Sequence, residues 1–82
     1  LTPDKLILDE NGVVYERRNK YLIGVDRSFL SYNSISYVKI DRRLISSHII
    51  ISSRGTDSII AKDFFISDAK KIEAIIKSKL NS

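Results

Sequence analysis

The sequence predicts a mainly β domain that ends in one α-helix, and two observations carry this prediction. Residues 5–62 form a series of short runs rich in β-branched side chains, separated by polar turns. Branched side chains favour strands because they suit a pleated, half-buried surface. Residues 67–80 instead place their apolar side chains at helical spacing. We therefore expect a small β barrel or sandwich with the helix covering its open end.

Length and composition limit the class of protein. The 82 residues suffice for one domain, residues 1–82, with 43% hydrophobic and 29% charged residues, as in ordinary globular chains. The chain has no Cys, which excludes disulfides, thiolate chemistry and Cys-ligated metals. We expect no cofactor.

Seven strands are expected between polar turns, at residues 5–9, 13–17, 21–25, 29–32, 35–41, 44–52 and 58–62. Asn11-Gly12 is typical of a tight hairpin turn with positive φ angles. Residues 26–28 are expected to interrupt the sheet. Alternation in the fifth strand places Val38 and Ile40 on its inner face. The apolar run 49–51 indicates a strand covered on both faces.

The final segment has the pattern of an amphipathic helix. Ser67 is the expected N-cap, and Asp68 places negative charge in the first turn, where the helix dipole favours it. Glu73 and Lys77 are spaced to form an ion pair. One apolar stripe is expected to dock on the sheet, with Ile75 beside it; it consists of Ala69, Ile72, Ile76 and Leu80.

The net charge of +4 is concentrated in the middle of the chain. Residues 13–43 hold seven Lys or Arg against three acids, an excess of +4. Two basic turns fall there and give candidate anion-binding residues, namely Arg17, Arg18, Lys20, Arg42 and Arg43. If both turns lie at the same end of the barrel, they form one site; otherwise they are two solvated turns.

The chain also resembles the bacterial pleckstrin-homology-like (PH-like) domains over residues 21–80, about three quarters of its length. The resemblance rests on hydrophobic spacing and turn residues: Tyr21-Leu22-Ile23-Gly24, Asp26-Arg27, Ser34-Ile35-x-x-Val38, the strand 49–52, Arg54-Gly55-Thr56, residues 59–61, Phe64 and Asp68-Ala69-Lys70-Lys71-Ile72. It implies a split barrel of about seven antiparallel strands in two sheets, capped by one C-terminal helix. It also implies a noncatalytic binding or scaffolding module.

For this module we expect protein–protein contact or self-assembly. The alternative is peripheral binding of an anion, a phospholipid headgroup or nucleic acid, through the basic turns. Many eukaryotic relatives of this fold bind phosphoinositide headgroups through Lys and Arg around the first hairpin loop, but here that loop, residues 9–12, is acidic. The tyrosines offer stacking surfaces for single-stranded nucleic acid, which we rank below an anionic membrane surface; they are Tyr15, Tyr21, Tyr32 and Tyr37.

The sequence contains no recognisable catalytic pattern, and we do not expect an enzyme or a small-molecule substrate. His48 is the single histidine, so imidazoles cannot build a metal site together. No nucleophile elbow, P-loop or dinucleotide fingerprint occurs. A small hydrolase that depends on His48 is the third alternative.

The expected location is the cytoplasm. The chain has no apolar run of 18 residues and no visible signal peptide. Because it begins at Leu1 rather than Met, we expect further sequence before it, which can carry a targeting signal or a membrane anchor.

Overall fold

The computed structural model describes residues 4–18, 25–55 and 58–81. Its strands are β1 (Lys5–Leu8), β2 (Gly12–Arg18), β3 (Val25–Ser31), β4 (Ile35–Arg42), β5 (Ser47–Ser53) and β6 (Ile59–Phe64), and its helix is α1 (Ile66–Leu80). A 3-10 helix, Tyr32–Ser34, joins β3 to β4. The expected mainly β domain with a C-terminal helix is confirmed.

The strands form two antiparallel three-stranded sheets, sheet 1 with the order β1-β2-β3 and sheet 2 with the order β4-β5-β6. Within each sheet, strands that follow one another in the chain are paired, and β3 and β4 belong to different sheets. The described part of the chain forms six strands rather than about seven, and its two sheets do not close into a barrel. The largest fully buried side chains come from both sheets, the start of β4 and the helix: Val13, Ile35, Ile49, Ile51 and Ile76.

The expected break at residues 26–28 is wrong, since these residues lie inside β3 and pair with β2. Arg27 pairs across the strands with Glu16 and forms an ion pair with it, and Arg17 stands opposite Asp26. Opposite charges at paired positions favour strand pairing for residues that propensity alone assigns to a turn. Of the expected strand 21–25, only the last residue falls within the described ranges.

The expected strand 44–52 begins three residues later, at Ser47. The backbone N–H of Arg43 donates to the carbonyl of Ser46 at 2.8 Å and closes a tight connection between β4 and β5. Within β5, Ile49 and Ile51 are fully buried, whereas Ile50 on the other face is half-buried. The run is thus fully covered on one face and only partly on the other.

In β4, Val38 is buried and Ile40 is half-buried, which confirms the predicted inner face. Ile35 is also buried, although alternation places it on the opposite face. The pairing with β5 shifts register between Ile35 and Tyr37. A bulge of this kind changes the face to which the side chains before it belong.

The turn between β1 and β2 is held by a side chain rather than by positive φ angles, so that expectation is wrong. The Asp9 carboxylate accepts the backbone N–H groups of Asn11 at 2.7 Å and Gly12 at 2.9 Å. Gly12 is required for a different reason: a Cβ there would lie 2.3 Å from the carbonyl oxygen of Leu30. The glycine permits close approach of β2 and β3.

Helix α1 begins at Ile66, with Phe65 at the N-cap, so the predicted Ser67 cap is wrong. The first helical hydrogen bond runs from the Ala69 N–H to the Phe65 carbonyl at 2.9 Å. Ser67 therefore lies within the first turn, one residue before the confirmed Asp68. The side chain of the N-cap residue, Phe65, makes no capping hydrogen bond.

The predicted apolar stripe of α1 faces the protein interior. Ala69 and Ile76 are fully buried, and Ile72 and Leu80 pack against the core, whereas Ile75 is largely exposed. The helix contacts β4, β5 and the 3-10 helix. The predicted ion pair forms at 3.6 Å between Glu73 and Lys77. The stripe thus docks α1 mainly on sheet 2.

Candidate binding surfaces

The first predicted basic turn is only partly described. Arg17 is exposed and stands opposite Asp26 in the register of β2 and β3. Arg18 is the last residue of β2, and Lys20 lies outside the described ranges. The acidic residue beside Arg17 reduces its local positive potential.

The second basic turn lies at the end of β4. Arg43 forms an ion pair with Asp41 at 2.9 Å. Arg42 is exposed, and no described residue forms an ion pair with it. Arg42 precedes and Arg43 begins the connection of residues 43–46, which we call the β4–β5 tip. Whether the two basic turns form one anion site remains a prediction.

The β4–β5 tip carries two aliphatic side chains that the sequence analysis assigned to a strand. Leu44 has a relative exposure of 104% and Ile45 of 96%, the highest among the exposed large hydrophobic residues. Both side chains therefore lie outside the core. The sequence signal for this surface is a pair of residues that are unfavourable in a turn, because Leu and Ile lack the turn preference of Gly, Asn and Asp.

Ser46, His48 and Asp63 meet at the base of this tip, but their geometry is not that of a catalytic triad. The Ser46 hydroxyl donates to the Asp63 carboxylate at 3.3 Å. His48 Nδ1 accepts the backbone N–H of Asp63 at 3.3 Å, which requires this nitrogen to be unprotonated. In a triad the histidine would instead bond both the serine and the carboxylate. Asp63 also has a left-handed φ of 68°.

A second apolar surface lies on the outer face of sheet 1. Strand pairing sets Ile7 beside Val14 and Val14 beside Phe29, so one apolar row crosses all three strands. Ile7 is 39% exposed, Phe29 is 53% exposed and Val14 is half-buried. We call these three residues the apolar row. A charged row with both signs flanks it on the same face: Lys5, Glu16 and Arg27.

The three tyrosines in the described ranges do not form a stacking platform. The Tyr32 ring is buried, and its hydroxyl donates to the Asp9 carbonyl at 2.8 Å. The Tyr15 hydroxyl donates to the Asp4 carboxylate at 2.7 Å. Only Tyr37 is half-exposed, at the surface of sheet 2. Tyr21 lies outside the described ranges.

Both internal tyrosines have perturbed acidity. Burial, the hydrogen bond to Asp4 and the negative charge of Asp4 raise the pKa of Tyr15 well above its ordinary value, against a smaller opposing effect of Arg17. Burial and then the charge of Asp9 raise the pKa of Tyr32. These hydroxyls therefore serve as neutral structural donors.

Over the described ranges, no three His, Cys, Asp or Glu side chains are grouped so as to hold a metal ion. In the same residues no helix combines the length and apolar character needed to cross a membrane. Comparison of the chain with protein-family models, curated proteins and solved structures finds no match.

Proposed function

We propose that this chain is a noncatalytic PH-like binding module that acts through protein contact, most directly with a second copy of itself. Two antiparallel sheets followed by one docked helix support this proposal, because this is the part of the architecture implied by the resemblance that the described residues share; they form six strands and no closed barrel. The proposal depends on a surface rather than on a reactive group.

The apolar row is the observation that carries the proposal. Phe29 and Ile7 remain partly exposed on a sheet face, although aromatic and aliphatic side chains gain free energy when they leave water. The adjacent charged row carries both signs, with Glu16 and Arg27 paired within the chain and Lys5 exposed beside them. In a twofold pair, the same patch meets itself, so a mixed-charge row can complement its own copy.

Sedimentation equilibrium over a range of concentrations tests this proposal, with Phe29→Ser as the informative variant. We expect the wild-type chain to associate below about 1 mM and Phe29→Ser to weaken association at least about tenfold. Phe65→Ser is the matched control, because Phe65 is 76% exposed at the start of α1 and lies outside the apolar row. A wild-type chain that stays monomeric at every concentration tested eliminates self-association from the proposal.

A second candidate function is peripheral anion binding, and the adjacent Arg42 and Arg43 at the exposed end of β4 favour it. Anionic vesicles or oligonucleotides should bind in a salt-sensitive manner, since this interaction is electrostatic. Arg42→Ala combined with Arg43→Ala should weaken binding. Absence of binding to either probe at low salt eliminates this candidate.

The noncatalytic part of the proposal is supported by the arrangement around His48. Its Nδ1 is engaged by a backbone N–H, and Ser46 bonds the carboxylate of Asp63 rather than the imidazole. Assay of His48→Ala against general ester and phosphoester substrates tests the alternative of a small hydrolase. A wild-type hydrolytic activity that this variant loses contradicts the proposal.

A further inference from the structure

We propose that the β4–β5 tip inserts into anionic lipid bilayers, with Leu44 and Ile45 entering the apolar boundary and Arg42 and Arg43 contacting lipid phosphates. This inference rests on the second candidate function and makes its ligand a bilayer rather than a dissolved anion.

The composition of the tip fits neither turn formation nor core packing. Two-residue hairpin connections favour Asn, Asp and Gly, which adopt positive φ angles readily. Leu44 and Ile45 occupy these positions with negative φ angles, and both side chains are almost completely exposed. Two adjacent aliphatic side chains at such a position gain only from an apolar environment outside this chain.

The charges around the tip favour an anionic bilayer over a neutral one. Arg42 is exposed without an ion pair among the described residues, whereas Asp41 partly neutralises Arg43 at 2.9 Å, so Arg42 is the main positive charge beside the tip. Basic side chains beside an apolar insertion point combine electrostatic attraction with burial of apolar area, which is how peripheral membrane segments bind.

The composition and the hydrogen bonds of the tip also favour a bilayer over nucleic acid. Single-stranded nucleic acid is bound by stacking of bases on aromatic side chains, and the tip contains none. The hydrogen bond between the Arg43 N–H and the Ser46 carbonyl satisfies two backbone groups that would otherwise be desolvated at the boundary. Ser46 is further held at its hydroxyl by Asp63.

A tryptophan probe tests insertion directly, because the chain contains no Trp. Leu44→Trp is mixed with vesicles of phosphatidylcholine and phosphatidylserine in equal parts, and its fluorescence is recorded with and without brominated acyl chains. We expect a blue shift and quenching by bromine. Phe65→Trp, at another exposed position, should show neither. Unchanged emission of Leu44→Trp on bound vesicles overturns the insertion.

Vesicle co-sedimentation separates this inference from the function on which it rests. The double variant Leu44→Ser with Ile45→Ser should bind the same vesicles at least about tenfold more weakly. Arg42→Ala with Arg43→Ala should lose about tenfold or more at low salt and the preference over pure phosphatidylcholine. Phe65→Ser, which lies outside both the tip and the apolar row, should bind as wild type does.

The remaining outcomes distinguish the possible failures. If only the arginine variant loses vesicle binding, the second candidate function stands and insertion is overturned. Binding of an oligonucleotide without binding of vesicles has the same consequence. Binding of neither probe overturns both. Wild-type affinity of the serine double variant overturns insertion, and in that case a protein pocket for the two aliphatic side chains is the remaining explanation.

Discussion

The Asp4 carboxylate accepts the Tyr15 hydroxyl at 2.7 Å, and the same oxygen accepts the backbone N–H of Lys62 at 3.0 Å. Tyr15 belongs to β2 and Lys62 to β6, so one carboxylate oxygen joins the two sheets. The Tyr15 oxygen also lies 3.1 Å from the Ile60 carbonyl. This corner fixes the position of sheet 1, and with it the apolar row, relative to sheet 2.

Asp4→Ala should lower the free energy of unfolding by about 1–3 kcal/mol, because the N–H of Lys62 loses its acceptor and the hydroxyl of Tyr15 keeps only the Ile60 carbonyl. Chemical denaturation followed by circular dichroism measures this change. Glu10→Ala removes an exposed carboxylate in the neighbouring turn and is the control, expected within about 0.5 kcal/mol of wild type. Equal stability of the two variants would show that the corner does not hold the sheets.

Stability should fall as the pH rises above about 10, the ordinary pKa of tyrosine. Burial raises the pKa of Tyr15 in the folded chain, so the unfolded chain releases this proton first. The stabilisation linked to the Tyr15 proton is therefore fully present below the pKa of the unfolded chain. It is lost as the pH rises toward the pKa of the folded chain. Denaturation midpoints at a series of alkaline pH values measure the slope.

Tyr15→Phe should lessen that alkaline slope, although Tyr32 leaves part of it, since the pKa of Tyr32 is raised as well. At neutral pH the free energy of unfolding of the same variant should be lower by about 0.5–1.5 kcal/mol, because the hydrogen bond of the hydroxyl is missing. Tyr37→Phe removes a half-exposed hydroxyl and serves as the control. An unchanged slope in Tyr15→Phe would contradict the assignment of the alkaline loss of stability to Tyr15.

Gly12→Ala should destabilise the chain by about 1–3 kcal/mol. The added Cβ would lie 2.3 Å from the Leu30 carbonyl oxygen and 2.8 Å from the Ser31 Cα, so β2 and β3 would have to separate. Gly55→Ala is the matched control, because its Cβ would meet no atom closer than the Ser53 hydroxyl at 3.5 Å. Thermal unfolding should show a loss for the first variant only.

Ile76→Ala should cost about 2–5 kcal/mol, since Ile76 is fully buried in the core and its truncation leaves a cavity. Ile75→Ala, one residue away and 44% exposed, should cost much less. Urea denaturation of the pair measures how firmly α1 is docked. Similar losses of stability for both variants would mean that burial of the apolar stripe does not dock the helix on the sheet.

The mainly β class with a C-terminal helix and the buried face of that helix followed from residue patterns alone, whereas the number of strands and the closed barrel did not. The spacing of Ala69, Ile72, Ile76 and Leu80 predicted the buried face, because burial of apolar area decides the orientation of a helix too short to be stable alone. The alternation at Val38 and Ile40 gave the inner face of β4 for the same reason.

The errors arose where the local preference of the residues does not decide the structure. Residues 26–28 have turn composition but are paired in β3 opposite β2, and Leu44 and Ile45 have strand composition but lie in a connection. The apolar row was not recognised, because it requires the register that aligns Ile7, Val14 and Phe29. A sequence pattern gives the face of one strand but not its partner residues.

The most direct test of the account follows NMR amide chemical shifts of the wild-type chain on dilution from high concentration. If the outer face of sheet 1 is the contact surface, the concentration-dependent shifts should cluster at Ile7, Val14 and Phe29 and disappear in Phe29→Ser. Shifts confined to α1 or to sheet 2, or none at any concentration, would contradict the proposed role of this face.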